Sequence, residues 1–191
     1  SIAIVPRPAP VNTIVNAADG RWALNIQDGS SGNTVFNNIL FSQHASRGAI
    51  DIDQASLADL VSDYNLMEDR FALDGSFIGL AAWQGDTGLD TNSTALDAAE
   101  LAALFADFEA RDLQLVPDSA AVDEGTAGLV NGTLRAAPGL DRLRTARPAG
   151  LAYDVGAYEL QPIPEPRTVA LMLAGLLAMA AALGRRAPRP H

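Results

Sequence analysis

The segment VNTIVN at residues 11–16 returns, altered, as VFNNILF at 35–41, and ALNI at 23–26 returns as AIDI at 49–52. Laying Thr13-Ile14-Val15 on Asn38-Ile39-Leu40 gives a shift of 25, and the second pair gives a shift of 26. A third echo, DYNL at 63–66, puts Asp63 25 residues after Asn38. Short runs of β-forming residues alternate with turn formers such as Asp28-Gly29-Ser30-Ser31-Gly32-Asn33. Strands this short cannot make an independent core, so the units must stack and share one. A parallel β coil satisfies that demand. Each turn sets an inward apolar residue above its counterpart in the next turn. Asn12, Asn38 and Asp63 are expected to form a corner column, because Asn and Asp bond their own backbone and tolerate left-handed φ. A β-sandwich of unrelated strands is the competing reading.

Composition narrows the function classes. The chain has 191 residues, 48% of them hydrophobic, which is enough for a real core. With 16 Gly and 11 Pro, a turn-rich body is favoured over a helical bundle. There is no Cys, which excludes disulfides, thiol nucleophiles and Cys-based metal sites. Residues 1–161 carry a charge of −13 and residues 162–191 a charge of +3, all of the cations being Arg. An acidic body of this kind argues against nucleic acid as a partner, since phosphate contacts need a basic face. The opening SIAIVPRPAPVNTIV lacks a charged segment followed by a long apolar run, so it does not read as a secretory signal peptide. We expect the chain to be the C-terminal piece of a longer precursor.

Beyond residue 66 the pattern loosens. LAAWQGDTGLDTNS at 80–93 reads as loops around one aromatic anchor, Trp83. ALDAAELAALF at 95–105 has helical spacing after an Asn/Ser/Thr cap. Taken together, several segments resemble right-handed parallel β-helix proteins of the choice-of-anchor type. DGSSGNTVFNNIL at 28–40 resembles a coil of that family, and DYNL the point where its repeats end. LFADFEARDLQLVPDSAAVDEG at 104–125 and RPAGLAYDVGAYEL at 147–160 are similar to its closing segment. Ala120 stands where the family usually has Pro, and DRLRTARP at 141–148 replaces a Gly-containing turn. The resemblance implies an all-β fold: right-handed parallel β-helix coils, an irregular C-terminal capping segment, and then a single hydrophobic C-terminal helix.

The tail reads PIPEPRTVALMLAGLLAMAAALGRRAPRPH. Val169 to Leu183 is uncharged and apolar on every face, so it has no amphipathic stripe to lay on a core. As a helix it would span roughly 23 Å, somewhat short of the ~30 Å hydrocarbon layer. Thr168 and Gly184 extend it, and flanking arginines can snorkel. Arg185, Arg186 and Arg189 follow as a stop-transfer cluster, which by the positive-inside rule stays cytoplasmic and leaves the acidic body outside the inner membrane. A buried core helix is the competing reading of the apolar run.

Pro164-Glu165-Pro166, the apolar helix and the arginines together resemble a PEP-CTERM sorting signal. The resemblance implies an exosortase-type processing enzyme as partner, with the motif held extended by its prolines. It also implies transient inner-membrane anchorage, followed by the cell surface or extracellular matrix of a Gram-negative-type bacterium that makes exopolysaccharide.

No catalytic constellation is legible. The histidines are His44 and His191, and His191 lies in the tail, which leaves no His pair for a metal and no obvious Ser-His-Asp set. Asp51 and Asp53 fall on one strand face and are the metal candidates, for Ca²⁺, or an acid–base pair. A solvated face of an acidic protein is the simpler reading. Asp86, Asp90 and Asn92 make an oxygen-rich loop without EF-hand spacing. Trp83, Tyr153 and Tyr158 would either stack on sugars or seal a core.

The expected organisation is coils over 1–66, a closing segment over 67–160, a Pro-rich linker over 161–167, a transmembrane helix over 168–184 and a basic cytoplasmic tail over 185–191. The expected role is an exported envelope or matrix protein associated with polysaccharide and needing no cofactor. The alternative is a β-helix polysaccharide lyase or hydrolase whose catalytic coils lie mostly upstream.

Overall fold

The computed structural model describes residues 11–161 and three isolated tail positions, Met172, Leu176 and Met179, which are helical and exposed. The body is mostly β, with parallel sheets and two short helices. The first sheet is fully parallel: β1 (Thr13–Asn16), β4 (Ile39–Ser42), β7 (Leu66–Glu68) and β10 (Thr94–Leu96). The second runs parallel through β2 (Leu24–Ile26), β5 (Ile50–Ile52) and β8 (Phe71–Leu73), then ends on antiparallel β9 (Ser76–Ile78). The third pairs β3 (Thr34–Phe36) with β6 (Val61–Asp63). The chain therefore visits the three sheets in turn and stacks each visit on the one before. Parallel pairing continues past residue 66, as far as Leu96.

The register differs from the string match. Thr13 pairs with Ile39 and Leu24 with Ile50, a shift of 26 in both sheets. The expected shift of 25 for VNTIVN is one residue short, and such a slip exchanges the two faces of a strand. At 26, Ile14, Leu40, Met67 and Ala95 share one side of the first sheet and meet Ile26, Ile50, Ile52 and Phe71 from the second and Val35 from the third in a common core. The next step is 27, with Thr34 opposite Val61 and Ile39 opposite Leu66. The extra residue lies in the 53–60 corner, where Asp53 caps a 3-10 turn (Gln54–Leu57) through its carboxylate and the Ser56 amide.

That extra residue also moves the third corner. The column is Asn12, Asn38 and Asn65, and Asp63 is not part of it. Asn37 and Tyr64, one residue earlier, hold left-handed φ of 54° and 55°. Asn38 Oδ1 accepts from the Asn12 amide at 2.9 Å, and Asn65 Oδ1 accepts from the Asn38 amide at 2.9 Å. Asn65 Nδ2 donates to Asp90 Oδ1 at 2.9 Å, and the Asn65 amide donates to Ser93 Oγ at 2.9 Å. Trp83 Nε1 donates to Asp90 Oδ2 at 2.9 Å. Asp63 instead sits opposite Phe36 and binds Asn92 from outside the core.

The segment expected to be loops contains α1 (Leu80–Thr87), which ends on left-handed Gly88 at φ 70°. It carries Leu80 and Trp83 into the core, where Trp83 is fully buried and stacks on Phe71 at 5.3 Å. Trp83 therefore seals the core, as one of its two expected roles required. The later helix, α2 (Ala98–Ala103), is capped by Asp97 and not by the Asn/Ser/Thr cluster, because Asp97 and Glu100 form a reciprocal capping box.

From α2 onward the chain covers the other side of the first sheet. Ile39, Phe41, Leu66 and Leu96 pack there against Leu101, Leu104, Phe105, Leu115, Ala121 and Val155. These last residues come from α2, from the hairpin β11 (Phe105–Asp107) and β12 (Asp112–Leu115), and from the closing loops. This explains why all of β4 is buried. Gly156, at φ 100°, allows a close approach to the first sheet: a Cβ there would lie 2.7 Å from Ile39 Cδ1 and Thr13 Oγ1. A second hairpin, β13 (Gly128–Asn131) and β14 (Thr133–Ala136), leaves Val130 and Leu134 exposed.

Among the described residues no helix is long and apolar enough to cross a membrane. The predicted helix over 168–184 lies outside the described residues apart from the three isolated positions.

Removing Asn65 would strand the Asn38 amide in the core, at ~1–3 kcal/mol, and would take from the Asp90 carboxylate a charge-assisted bond of similar size, leaving Asp90 Oδ1 with Ser93 Oγ as its donor. We expect Asn65→Ala to cost at least ~3 kcal/mol, and Asn12→Ala, at the half-buried end of the column, to cost ~1 kcal/mol. Urea midpoints of the two variants decide this, and equal losses would refute the ladder as a core element.

Candidate functional site

The outward face of the second sheet carries Asn25 on β2, Asp51 on β5, Ala72 on β8 and Phe77 on β9 as register partners. Beside this row lies an open groove of about 880 Å³ whose lining includes Arg21, Asn25, Asp28, Asp51, Asp53 and Asp74. The structure thus brings the two metal candidates, Asp51 and Asp53, to one groove. Their oxygens have distinct tasks. Asp51 Oδ2 accepts from Asn25 Nδ2 at 3.1 Å. Asp53 Oδ2 accepts from the Asp28 amide and Oδ1 from the Ser56 amide, both at 2.7 Å. Hydrogen bonding to Ser56, ahead of the Asp28 and Gly29 amides, holds the Asp53 carboxyl below its ordinary value despite the opposing effect of burial. Asp74 Oδ1 accepts from the Gln54 amide at 2.8 Å. Asp53 is therefore a corner-former, spent on backbone amides. Among the described residues no group of three or more His, Asp or Glu side chains converges to hold a metal ion.

The chain also forms an aromatic pair outside the groove's lining. Trp22, at the start of the first pass through the second sheet, is 6% exposed and stacks on Phe77 at 5.8 Å. Phe77 is 66% exposed. Nothing in the sequence marks the two as partners, since the contact depends on the stacking of strands between them.

The other sequence candidates scatter. Asp90 is buried in the ladder, while Asn92 pairs with Asp63 outside it, so the oxygen-rich loop does not converge. His44 Nδ1 accepts from the Ser46 amide at 3.1 Å within a loop whose carbonyls are held by Arg70. Tyr153 packs with Phe36 and Ala137, and Tyr158 is half-buried. Pro164, Glu165, Pro166, Arg185, Arg186 and Arg189 lie outside the described residues.

Sequence reasoning missed one buried ionic network. Arg147 and Glu159, whose side chains are 1% and 0% exposed, lie 3.3 Å apart at Nε and Oε2. That Nε is not aligned as a hydrogen bond, so the contact there is electrostatic. The guanidinium instead donates to the carbonyls of Asp154 and Gly156. Glu159 accepts from the Ala149 amide, Asp154 from those of Asp123 and Leu160, and Asp141 from that of Glu159. Every acid in the network ties down a loop amide, which marks it as the frame of the closing segment. The only signal in the sequence was the Asp-x-Gly-Ala-Tyr-Glu run, which does not reveal its distant partner Arg147.

Comparison of the chain with family models, with curated proteins and with solved structures found no match in any of the three.

Burial raises the carboxyls of Asp154 and Glu159 above their ordinary values, against the pull of amide hydrogen bonds and Arg147. Burial also lowers the guanidinium of Arg147, opposed first by Glu159 and then by Asp141 and Asp154. With folded values above unfolded ones, the two carboxyls favour the fold most below the ordinary carboxylate range, and that contribution is lost as pH rises through the raised values. Arg147→Met removes the charge facing them. We expect it to cost ~3–5 kcal/mol at neutral pH and less near about pH 4, where the acids are partly protonated. Protection of the Ala149, Asp154 and Leu160 amides from hydrogen exchange reports this directly. An equal loss at both pH values would overturn the electrostatic account.

Proposed function

We propose that this chain is the C-terminal part of an exported bacterial protein whose body is a right-handed parallel β-helix and whose tail is a PEP-CTERM sorting signal. The observation that carries the proposal is the order of the tail: Pro164-Glu165-Pro166, fifteen uncharged apolar residues from Val169 to Leu183, then Arg185, Arg186 and Arg189. Three parallel sheets visited in turn support the β-helix reading of the body. Right-handedness follows from the strong chiral preference of parallel crossovers. The acidic body then stays on the outer side of the inner membrane while the arginines hold the cytoplasmic side.

An exosortase-type enzyme cleaves near the Pro-Glu-Pro motif and releases the body to the cell surface or matrix. There the protein acts as a displayed module in contact with exopolysaccharide, with no catalysis of its own. The groove gives the Asp51 and Asp53 acid–base pair no support, because both oxygens of Asp53 are spent on backbone amides.

Intact mass and C-terminal sequencing of the protein from its native host, expressed from the full-length gene, test the sorting reading. The expected chain ends between Pro164 and Pro166. A chain still ending at His191 and extracted only with detergent would mean a permanent anchor and would refute processing.

A further inference from the structure

The sequence holds nine asparagines, and eight of them spend their side-chain amides on hydrogen bonds within the fold. Three stand in the corner column. Asn37 Nδ2 donates to the Thr126 carbonyl at 2.7 Å, and Asn92 Nδ2 donates to Asp63 Oδ2 at 2.7 Å. The ninth is Asn131, at the tip of the hairpin formed by β13 and β14. It is exposed, and among the described residues its side chain has no hydrogen-bond partner. It is also the asparagine that glycine follows, whereas each of the other eight precedes a residue with a β-carbon. Gly132 holds φ 66°, and a Cβ there would meet nothing within 4 Å. Its amide donates to no acceptor among the described residues.

We propose that Asn131 is a self-modification site, at which the folded chain converts asparagine to isoaspartate and aspartate with water as the only co-reactant. The two groups that must meet lie on adjacent residues, and the fold holds neither of them. Gly132 N attacks Asn131 Cγ. The Cγ–Nδ2 bond breaks, and ammonia leaves with the Gly132 amide proton. Water then opens the succinimide ring at either carbonyl. Glycine suits the attacking position because no side chain crowds its nitrogen and its backbone moves freely between conformations. At the other asparagines the bonded carboxamide is held in place and the next β-carbon obstructs the approach. Either product alters the hairpin. Aspartate adds a carboxylate to a groove that Asp63 also lines. Isoaspartate also inserts a main-chain atom beside the Asn131–Thr133 pair, so the register of the tip changes.

Incubation of the full chain in mild detergent at neutral pH, followed by peptide mapping, tests this. Cleavage after Arg111 and Arg135 releases a peptide in which Asn131 is the sole asparagine. A sample cleaved at time zero corrects for conversion during digestion, and the same chain in urea gives the rate without the fold. In the folded chain this peptide is expected to gain the acid forms, isoaspartate in the larger share, at a rate within about tenfold of that in urea. The peptides that hold the other asparagines are expected to keep their amides. Asn131→Gln leaves the turn glycine in place and is expected to abolish the conversion, because a six-membered ring closes far more slowly. Gly132→Ala is expected to slow it at least about tenfold in urea, where strain at φ 66° plays no part. Conversion in urea with none in the folded chain would overturn the proposal, since the fold would then protect the tip. Equal conversion at the other asparagines of the folded chain, or an undiminished rate in Asn131→Gln, would overturn it too.

Discussion

The body depends on one continuous line of hydrogen bonds, from Asn12 through Asn38 and Asn65 to Asp90 and Trp83. Side-chain amides suit this task because each offers an acceptor and two donors. One Asn can therefore receive the backbone of the pass before it and donate to a carbonyl of its own corner or of that earlier pass, as Asn38 Nδ2 does to Phe36 and Asn65 Nδ2 to Val35. Inside a core the alternative to such pairing is a stranded polar group, so the line enforces register as well as supporting it. Every inward apolar residue of the first sheet is placed by it. Once Asn12 is set against Asn38, Ile14 must fall on Leu40.

The two sides of the first sheet are used differently from those of the second. Its inner side contributes to the core that α1 closes, and its outer side is the floor for α2, the first hairpin and the loops around Ala121 and Val155, while Leu129, Ala137 and Tyr153 pack on Phe36 of the third sheet. The acids of the closing segment work mostly as anchors for loop amides. This fits a region that has few regular strands and must still fix its backbone to the floor. The second sheet keeps its outer side open, and the free carboxylates and the exposed aromatic ring collect there.

The stacking of short units, the asparagine corner and the turn-rich composition were legible because each follows from local chemistry. The shift of 26 was not, because aligning Ile14 with Ile39 favours identity, while the fold aligns Ile14 with Leu40 by depth in the core. The replacement of Asp63 by Asn65 adds two single-residue offsets: the basic shift is 26 and not 25, and one extra residue in the 53–60 corner, which a turn can absorb without any periodic trace, makes it 27. LAAWQGDT gave no helical stripe, and α1 forms there because its Trp and Leu fill the end of a core built by other segments. Of the candidate site, Asp51 and Asp53 were visible as a pair. Their division into a free acid and a corner-former depended on amides from other passes. The pairing of Trp22 with Phe77 had no sequence signature at all.

Antiparallel β9 gives the stack a direction. The second sheet reverses there, and α1 closes the core immediately afterwards. Length in such a body can change only where a pass repeats both corner and register. A tandem duplication of one 26-residue unit among the first passes would splice in a new layer and carry its own asparagine. The same duplication after Leu73 would meet a reversed strand and a plugged core. Growth is thus confined to the first passes, and it carries a cost there: Gly156 and Ala157 bond Asn37 and Thr13, so a layer spliced between those two passes would pull the closing segment from its seat.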